Sequence, residues 1–560
     1  MSKPTTTNEA QQLNLSVTGM TCDDCATGID KLLSKIPGVE SAKTSHSAAT
    51  CACTFDPEVT SKEAIIATIN ATPKYRVGGE LPGEIGNRGD ARRYDLVIIG
   101  GGSAAFSAAI TADGMGLSTL MINSGLPFGG TCVNVGCVPS KNLIRAAEAA
   151  HHARHPNFTG IQPRGVDIDM AQVIRDKRSL VAYLQQQKYM DVVKDLQGVT
   201  LLEGRATFID PKTVRVEGKG PFTGLKFLIA TGATTRIPDI EGLAESGYLT
   251  NETLFDREEL PASITIMGAG YIGLEIAMAY NRLGSKVRIL EFTDRVIRTQ
   301  TPDISAEIEK HMRNEGIEIL PNVRITKVEK RGAGTVLHCK CADGSHTELV
   351  ERGVLLVATG IVPNTTGLGL DVAGVELTKS GHIAVTELMA TNVPHIFAAG
   401  DVANTPAFVY TAAHEGKTAV QAAFGAPPRG VDYSALPWVM FTDPQIAGAG
   451  MDEVQAAAAD IEAGTSTIEL KHVARSIAAN DMRGFIKLVR DTKNDRLIGA
   501  RIIAPEGGEL VQMLSLAIKH EVTVTELADD LYPYLTLSEG IKLAAIGFTR
   551  DVSKLSCCAS

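Results

Sequence analysis

The chain has 560 residues, of which 44% are hydrophobic and 54 are glycine, and its formal net charge is −10. This length predicts three or four domains, and the composition is typical of an α/β enzyme. The negative charge argues against nucleic acid as a partner. The polar N-terminus lacks an apolar signal segment, and no stretch approaches the ~18 uninterrupted apolar residues of a membrane span. We therefore expect a soluble, cytoplasmic protein without stable membrane insertion.

Ten cysteines are present, and all of them occur in close pairs. Such pairs in a reducing cytosol are more often metal-binding or catalytic than structural. Adjacent cysteines rarely form an unstrained disulfide, but together they can hold a soft metal ion. The pairs are Cys22/Cys25, Cys51/Cys53, Cys132/Cys137, Cys339/Cys341 and Cys557/Cys558.

Residues 1–77 carry two helical and several alternating apolar patterns, and a Gly-rich, charged segment at 78–93 follows them as a flexible linker. The order of these patterns predicts a βαββαβ unit of ferredoxin-like type. In chain order we expect a strand at 13–17, a helix at 23–36 that Pro37-Gly38 ends, strands at 39–44 and 49–55, a helix at 61–70 and a strand at 75–77.

The first loop of this unit reads GMTCDDC over residues 19–25 and places two thiols beside the N–H groups of a helix start, which favour thiolates. The loop resembles that of the heavy-metal-associated domains, which implies metal binding by Cys22 and Cys25. The alternative is a redox pair of thioredoxin type, although that motif usually has other residues between its cysteines. Cys51 and Cys53 share one face of a strand, and we interpret them as packing residues.

Two glycine-rich turns each follow an apolar strand and precede a helix. The strands are residues 94–99 and 263–267. Glycines at such turns let the backbone approach a pyrophosphate, which rests at the helix N-terminus. Two copies in one chain predict two bound dinucleotides. The turn residues are Gly100, Gly102 and Ala105 in the first copy, and Gly268, Gly270 and Gly273 in the second.

Between the two turns, residues 129–141 read GGTCVNVGCVPSK, and four residues separate Cys132 from Cys137. Five residues of ideal helix advance ~7.5 Å, which exceeds comfortable disulfide reach. A bridge therefore needs a distorted helix start, which Gly136 and Pro139 permit. A strained, reducible bridge next to a nucleotide site indicates redox chemistry.

This segment matches the signature of the pyridine nucleotide-disulfide oxidoreductases, and the chain resembles that family over residues 94–550. The resemblance implies FAD at the first turn and a nicotinamide cofactor at the second. It implies that Cys137 is the thiolate beside the flavin and that Cys132 exchanges with substrate. Lys141 and Glu275 are implied as an ion pair near the flavin ring. Further cofactor contacts are implied for Gly130, Thr131, Lys141, Gly232 and Asp401.

The predicted fold class is α/β, with two Rossmann-like dinucleotide-binding domains and an α+β dimerisation domain after the ferredoxin-like metal-binding domain. A homodimer is implied, with active sites at the subunit interface. The expected divisions are 1–77 heavy-metal-associated domain, 78–93 linker, 94–235 FAD-binding domain, 236–362 NAD(P)H-binding domain, 363–434 second part of the FAD-binding and central region, 435–550 dimerisation domain and 551–560 mobile tail.

Tyr534 stands where disulfide reductases of this family carry a histidine. Protonation of a departing thiolate needs a general acid near neutral pH, and a tyrosine with an unperturbed pKa of ~10 serves poorly. We therefore expect a sulfur-bound metal ion as substrate. With its terminal thiol pairs, the chain resembles the mercuric reductases within the family. This resemblance implies that Cys557 and Cys558 of the partner subunit deliver Hg(II), and that Tyr189 and Tyr534 line the inner site.

The nucleotide preference depends on the residues that end two strands. Asn123 stands where the first fold usually has an acid for the adenosine ribose, so we expect a weaker or amide-mediated FAD contact. Glu291 ends the corresponding strand of the second fold, and an acid there favours NADH. Arg295 and Arg298 follow it and can pair with a 2′-phosphate. Because the family resemblance implies NADPH, we expect NADPH as donor and NADH as a secondary donor.

The expected activity is NADPH-dependent, FAD-mediated reduction of thiol-bound Hg(II) to Hg(0). The ion would pass from Cys22/Cys25, or directly from Cys557/Cys558, to Cys132/Cys137, and a mercury transport protein could supply it. One alternative is a flavin disulfide reductase for a small thiol compound, and another is a metal-sequestering protein that keeps the flavin fold as a scaffold. For Tyr189 the alternative is a packing role. For Cys557 and Cys558 the alternative is a disordered tail with incidental thiols.

Overall fold

A computed structural model describes residues 10–20, 23–46, 50–72, 74–81, 92–163, 165–425 and 429–554. Cys22, Cys557, Cys558 and most of the predicted linker lie outside the described residues. The chain divides into two compact units. One comprises Met1–Asn134, Ala182–Thr234 and Val362–Val431, and the other comprises Val135–Val181, Thr235–Ile361 and Asp432–Ser560.

The N-terminal region forms a four-stranded antiparallel sheet with strand order β2-β3-β1-β4. Its core is built from alternating residues, and both Cys51 and Cys53 are buried in it. The first helix ends at Leu33, before the predicted end, and the last strand continues to Leu81. The elements are β1 (Gln11–Thr18), α1 (Asp23–Leu33), β2 (Val39–Ser45), β3 (Thr50–Phe55), α2 (Lys62–Asn70) and β4 (Arg76–Leu81).

The next region forms a sheet of order β7-β6-β5-β10-β9-β8, in which β5, β6, β7 and β10 run parallel. Strand β5 is buried almost throughout, as expected for a parallel strand covered on both faces. The elements are β5 (Arg93–Ile99), α3 (Ser103–Gly114), β6 (Thr119–Asn123), α4 (Gly130–Asn134), α5 (Cys137–Arg154), α6 (Met170–Gln185), a π-helical turn (Gln186–Met190), α7 (Asp191–Lys194), β7 (Val199–Glu203), β8 (Ala206–Asp210), β9 (Thr213–Val216), β10 (Gly220–Ile229) and β11 (Ala233–Thr235).

A second parallel sheet, of order β14-β13-β12-β18, follows together with an antiparallel sheet of order β15-β16-β17. Helix α9 begins at the second glycine-rich turn. The elements are α8 (Asn251–Leu254), β12 (Ser263–Met267), α9 (Tyr271–Leu283), β13 (Lys286–Leu290), α10 (Pro302–Asn314), β14 (Glu318–Leu320), β15 (Arg324–Arg331), β16 (Gly334–Lys340), β17 (His346–Glu351), β18 (Val354–Val357) and β19 (Ile361–Pro363).

The remaining chain completes the first parallel sheet through β20, which pairs with β10, and then forms an antiparallel sheet of order β21-β22-β25-β24-β23. The predicted α/β architecture is therefore confirmed. The elements are α11 (Leu370–Ala373), β20 (Ile396–Ala398), α12 (Val409–Ala423), β21 (Trp438–Met440), β22 (Gln445–Gly450), α13 (Glu453–Ala458), β23 (Ala463–Glu469), α14 (Ala474–Ala478), β24 (Phe485–Asp491), β25 (Leu497–Ala504), α15 (Gly507–Lys519), α16 (Val524–Asp529) and α17 (Glu539–Ile546).

Within the described ranges, no helix has both the length and the apolar composition that crossing a membrane requires.

A buried arginine holds together separate segments of the second unit. The side chain of Arg282, at the end of α9, is 1% exposed and pairs with Glu315 at 2.6 Å and with Asp443 at 2.7 Å. Arg483 also pairs with Asp443, at 2.8 Å. Burial by itself would raise the pKa of Asp443, but the charges of Arg483 and Arg282 outweigh burial and hold that pKa below its usual range. Removing one partner from such a network leaves a buried charge uncompensated.

We expect Arg282→Met to destabilise the second unit by about 3 kcal/mol, because the buried Asp443 and the partly buried Glu315 lose a cation. Since the pKa of Asp443 is depressed, its stabilising contribution is present at neutral pH and is lost as the pH falls through its folded-state pKa. The variant should therefore lose less stability on acidification than the parent. Thermal unfolding followed by circular dichroism from pH 7 down to about pH 2 measures both effects, because the window lies below the usual aspartate pKa of ~3.9.

Arg288→Met is the matched control, because Arg288 pairs with the half-exposed Glu318 at the surface. Its cost should stay below about 1 kcal/mol. Equal destabilisation by the two substitutions would contradict a special role for the buried network.

Candidate active site

An ion pair joins helices α5 and α9 in the second unit. Lys141 Nζ lies 2.7 Å from Glu275 Oε2, and Glu275 Oε1 accepts a hydrogen bond of 2.9 Å from the backbone N–H of Phe441. The ammonium also lies 4.5 Å from the centroid of the Phe441 ring. Both carboxylate oxygens are therefore engaged, and the two residues that the family resemblance paired are in contact although 134 positions separate them. Their relation to a flavin stays a prediction.

The two cysteines of the predicted redox pair lie on successive helices. Cys132 is in the short helix α4, in the first unit, and Cys137 is the first residue of the long helix α5, in the second. Gly136 caps α5 with φ −116° and ψ −108°, outside helical geometry, so α4 and α5 do not form one continuous helix, and a bridge between the two cysteines stays a prediction. Both cysteines are half-buried. The position of Cys137 favours a thiolate, because the N-terminus of a helix stabilises negative charge.

Tyr189 lies in a π-helical turn between α6 and α7. Its ring meets the ring of Phe106 edge to face, with centroids 4.8 Å apart. A Cβ atom added to Gly129, which precedes the dithiol segment, would lie 3.4 Å from the Tyr189 ring. Such turns insert one extra residue into a helix and occur frequently at functional sites. The extra residue aims Tyr189 toward the start of the dithiol segment, whereas packing against Phe106 accounts for its half-buried state.

Tyr534 lies in an exposed segment before α17. Its side chain is 54% exposed and that of Leu531 is 92% exposed. Leu535 adopts a left-handed backbone with φ +59°, and Thr536 Oγ1 donates a hydrogen bond of 2.8 Å to the carbonyl of Pro533, so the segment is a defined turn. Neighbouring exposed apolar side chains of this kind are common at protein–protein contact surfaces.

The first glycine-rich turn has the geometry of a pyrophosphate cradle. Gly100 adopts φ +133°, and a Cβ atom there would lie 2.1 Å from the carbonyl oxygen of Ala230. Gly102 caps helix α3 without a side chain, and Ala105 is fully buried behind the turn. Gly130, whose neighbour is the exposed Thr131, approaches Gly102 at the backbone. The N–H groups at this helix start therefore fit the diphosphate of FAD.

Three further residues predicted at the flavin site have identified surroundings in the first unit. Asn123 donates a hydrogen bond of 2.8 Å to the carbonyl of Leu126, so its amide supports the loop locally. Gly232 accepts a hydrogen bond of 2.9 Å from the backbone of Asn364. Asp401 follows Gly400, whose N–H donates to the buried Glu415 at 2.7 Å. Burial first, and the charge of Glu415 second, raise the pKa of Asp401.

The second turn repeats this geometry. Gly268 adopts φ +105°, with the Ala358 carbonyl oxygen 2.5 Å from where a Cβ atom would lie. Gly270 caps α9 without a side chain, and Gly273 packs against the strand. A cleft of about 150 Å³ lies beside this turn. Its position at the start of α9 is where a dinucleotide binds in such folds, and its lining includes Thr235, Asn251, Gly270, Tyr271, Val357 and Ala358.

Glu291 and Arg295, predicted at the ribose of the nicotinamide cofactor, hold their own loop. Glu291 accepts hydrogen bonds from the backbone of Ala269 at 2.6 Å and from the backbone and hydroxyl of Thr293, each at 2.7 Å. Arg295 donates to the carbonyls of Arg298 and Gln300, each at 3.3 Å. A ribose hydroxyl would therefore share Glu291 with these existing donors.

In the N-terminal region, Lys74 Nζ lies 3.2 Å from the sulfur of the buried Cys25. A cation at that distance stabilises a thiolate, which is the form that binds metal. Among the residues that the structure describes, no group of three or more His, Cys, Asp or Glu side chains is arranged to hold a metal ion.

Sequence reasoning missed Lys74, Phe106 and Phe441, which contact Cys25, Tyr189 and the Lys141–Glu275 pair. Each is distant in sequence from its partner, so local spacing carries no signal for the contact. Around Tyr189 the local sequence contains no helix breaker, and nothing in it predicts a π turn.

Buried cysteines should be inert. Burial is the main cause that raises the pKa of Cys51 to about 11 and that of Cys339 to about 11. At pH 8 the thiolate fraction of each is on the order of 10⁻³. We expect iodoacetamide to leave both unmodified in the native protein and to modify both in denaturant, as read by mass spectrometry. Cys341, which is half-buried, should be modified earlier, and rapid native labelling of Cys51 would contradict this assignment.

Known protein families match most of the chain. Residues 94–416 match the family model of pyridine nucleotide-disulphide oxidoreductases, residues 436–545 match the dimerisation domain of that family, and residues 14–74 match the heavy-metal-associated domain. Among solved structures, the chain is similar to the HOCl-induced flavoprotein disulfide reductase RclA from Escherichia coli, with TM-score 0.73, 27% identity, and coverage of 81% of this chain and 99% of that one. LpdA from Mycobacterium tuberculosis gives TM-score 0.71, 28% identity, and coverage of 82% and 100%.

Curated relatives are more similar in sequence. The mercuric reductase of Lysinibacillus sphaericus is 37% identical over 98% of this chain and 100% of its own length. That of Acidithiobacillus ferrooxidans is 39% identical over 97% of this chain and 98% of its own length. That of Streptomyces lividans is 41% identical over 83% of this chain and 98% of its own length. The chain therefore belongs to the mercuric reductases of the pyridine nucleotide-disulphide oxidoreductase family.

Proposed function

We propose that the protein catalyses the reduction of thiol-bound Hg(II) to Hg(0) by NADPH through FAD. The observation that carries this proposal is the similarity to mercuric reductases over nearly the whole chain, from the heavy-metal-associated region to the dimerisation domain. The net reaction is NADPH + Hg(SR)₂ + H⁺ → NADP⁺ + Hg(0) + 2 RSH. Two electrons leave the nicotinamide, and both mercury–sulfur bonds break as the metal accepts them.

The protein uses FAD and NADPH as cofactors, and its two glycine-rich turns fit their diphosphates. When bound, FAD relays two electrons from the nicotinamide to the substrate site. In the proposal, Cys132 and Cys137 hold the mercuric ion while it is reduced, because thiolates are the soft ligands that such an ion prefers. Helix α5 stabilises Cys137 as a thiolate through its N-terminus, and Lys141 places a positive charge one helical turn further on. Glu275 keeps that ammonium in position.

The homodimer supplies the rest of the site. In the proposal the exposed segment around Tyr534 enters the site of the partner subunit, and Tyr189 and Tyr534 line the inner metal site. A tyrosine in place of a histidine suits a substrate whose leaving groups are thiolates already stabilised by metal. Cys557 and Cys558 of one subunit would pass the ion to Cys132 and Cys137 of the other by ligand exchange.

The N-terminal region is proposed to capture Hg(II) at Cys22 and Cys25 and to be dispensable for turnover at low metal load. The contact of Lys74 with Cys25 supports a thiolate at this site. A mercury transport protein could hand the ion to this pair. The number of close thiol pairs supports a place in the reducing cytoplasm and a role in mercury detoxification.

A disulfide reductase of small thiol compounds is the second candidate, because the similar solved structures include a flavoprotein disulfide reductase. The flavoprotein disulfide reductase is 27% identical to this chain, whereas the mercuric reductases are 36–41% identical. This difference, and Tyr534 in place of a histidine, favour mercury as the substrate. A non-catalytic metal-sequestering protein would leave the Lys141–Glu275 pair and both dinucleotide turns without a use.

The test is NADPH oxidation by the purified protein with Hg(II) in excess thiol, measured together with mercury released to the gas phase. We expect mercury-dependent oxidation with about one Hg(0) per NADPH, as the balanced reaction requires. The Cys557→Ala/Cys558→Ala variant should lose most of this activity but retain NADPH-dependent flavin reduction.

Cys341→Ala is the matched control and should behave as the parent, since Cys341 belongs to none of the proposed thiol pairs in the relay. Oxidation of NADPH with glutathione disulfide but without response to Hg(II) would overturn the proposal in favour of the second candidate. Full activity of the double alanine variant would overturn the relay alone.

We further expect Glu275→Gln to slow flavin reduction by NADPH by on the order of 10²-fold, the cost of removing one preorganised group. The amide oxygen can still accept the bond from Phe441, so the change isolates the charge opposite Lys141. Stopped-flow absorbance without mercury measures this step. Glu318→Gln, at the exposed pair with Arg288, serves as control, and equal rates in all three proteins would contradict the role of Glu275.

A further inference from the structure

The loop after β13 occupies the position that meets the adenosine ribose in dinucleotide-binding folds. It begins with Glu291 beside the Gly268 turn and runs to Gln300 before helix α10. Three charged residues follow Glu291 within this loop, namely Asp294, Arg295 and Arg298. Their arrangement decides how much positive charge is available to a 2′-phosphate, the group that distinguishes NADPH from NADH.

In this geometry Glu291 contributes little to the discrimination between NADPH and NADH. Its Oε2 atom accepts from the N–H of Ala269, and its Oε1 atom accepts from the backbone and side chain of Thr293. Three short hydrogen bonds to local donors spread its charge over the loop that they hold. The carboxylate thus joins the glycine-rich turn to the loop, and its presence does not by itself reject a 2′-phosphate.

The two arginines differ in availability. Arg295 is held by the carbonyls of Arg298 and Gln300, and its Nη1 atom lies 3.2 Å from Asp294 Oδ2. Arg298 has a side chain 63% exposed, and its Nε atom lies 3.5 Å from Asp294 Oδ1. Arg298 can therefore turn to a ligand, whereas Arg295 would first break contacts that shape the loop.

Asp294 contacts both guanidinium groups at once, and its side chain is 56% exposed. A carboxylate there offers Arg298 the same kind of partner as a phosphate, and it repels a phosphate that approaches. NADH carries no 2′-phosphate and loses nothing through this competition.

We propose that Asp294 is a specificity-determining residue that competes with the cofactor 2′-phosphate for Arg298 and so limits the preference for NADPH over NADH. The inference rests on the use of a nicotinamide dinucleotide at the second turn, and it is independent of the metal that is reduced. Arg298 is the residue that would contact the phosphate, and Arg295 is a positioning residue that keeps the loop in shape.

The test is calorimetric titration of the oxidised holoenzyme with NADP⁺ and with NAD⁺, which differ only in the 2′-phosphate. In Asp294→Asn the ratio Kd(NAD⁺)/Kd(NADP⁺) should rise about fivefold, the upper range for freeing an exposed ion pair. The Kd for NAD⁺ should change less than about twofold. Added salt should diminish the difference, because the groups are exposed.

A double-mutant cycle identifies the partner. In Arg298→Gln the ratio should fall about tenfold, and adding Asp294→Asn to that variant should raise it by less than about twofold, the part due to direct charge repulsion. Asp460→Asn removes the same charge elsewhere in the second unit, at a left-handed position with φ +58° that asparagine tolerates, and should leave the ratio unchanged.

An unchanged ratio in Asp294→Asn, or an equal rise with and without Arg298, would overturn the inference while NAD⁺ binding shows the nucleotide site to be intact. Failure of the parent protein to bind either nucleotide would overturn the nucleotide assignment and this inference together. Absence of mercury reduction with normal nucleotide binding would overturn only the proposed function.

Discussion

Helix α9 carries two buried charges of opposite sign, Glu275 near its start and Arg282 near its end, and both need partners because an unpaired buried charge is strongly destabilising. Glu275 meets Lys141 of α5, and Arg282 meets Glu315 and Asp443. The helix also begins at the second glycine-rich turn. One element therefore connects a glycine-rich turn, the ion pair of the candidate active site and a buried ionic network of its unit.

The cysteines show why a residue type does not define a site. Cys51, Cys53 and Cys339 are buried among apolar side chains, where burial raises their pKa and keeps them protonated. Cys25 is equally buried, but it lies against the ammonium of Lys74. Cys137 stands at the positive end of a long helix. Local charge separates the thiols that we propose for metal binding and redox chemistry from the packing residues, although their pairs have similar spacing.

Much of the fold follows from local patterns. The βαββαβ order and the two strand–glycine–helix turns were predictable from periodicity and from the glycines, and the ion pair of Lys141 with Glu275 followed from the family resemblance. The early end of α1 at Leu33 and the continuation of β4 to Leu81 were not, because apolar spacing does not mark where the last hydrogen bond forms. The π turn at Tyr189, whose ring packs against Phe106, was not predicted either.

The amino-acid sequence by itself determined the fold class, the two dinucleotide turns and the thiol pairs, because these depend on residues close together in the chain. Only the tertiary structure decided that Lys74 contacts Cys25 and that the backbone N–H of Phe441 donates to Glu275. It also decided that the hydrogen bonds of Glu291 and Arg295 are formed with nearby backbone groups. Those outcomes depend on which surfaces meet after folding and on which competing partner lies nearest. A charged side chain can bind a ligand only with the hydrogen-bonding and charge-pairing capacity that neighbouring protein groups have not already used.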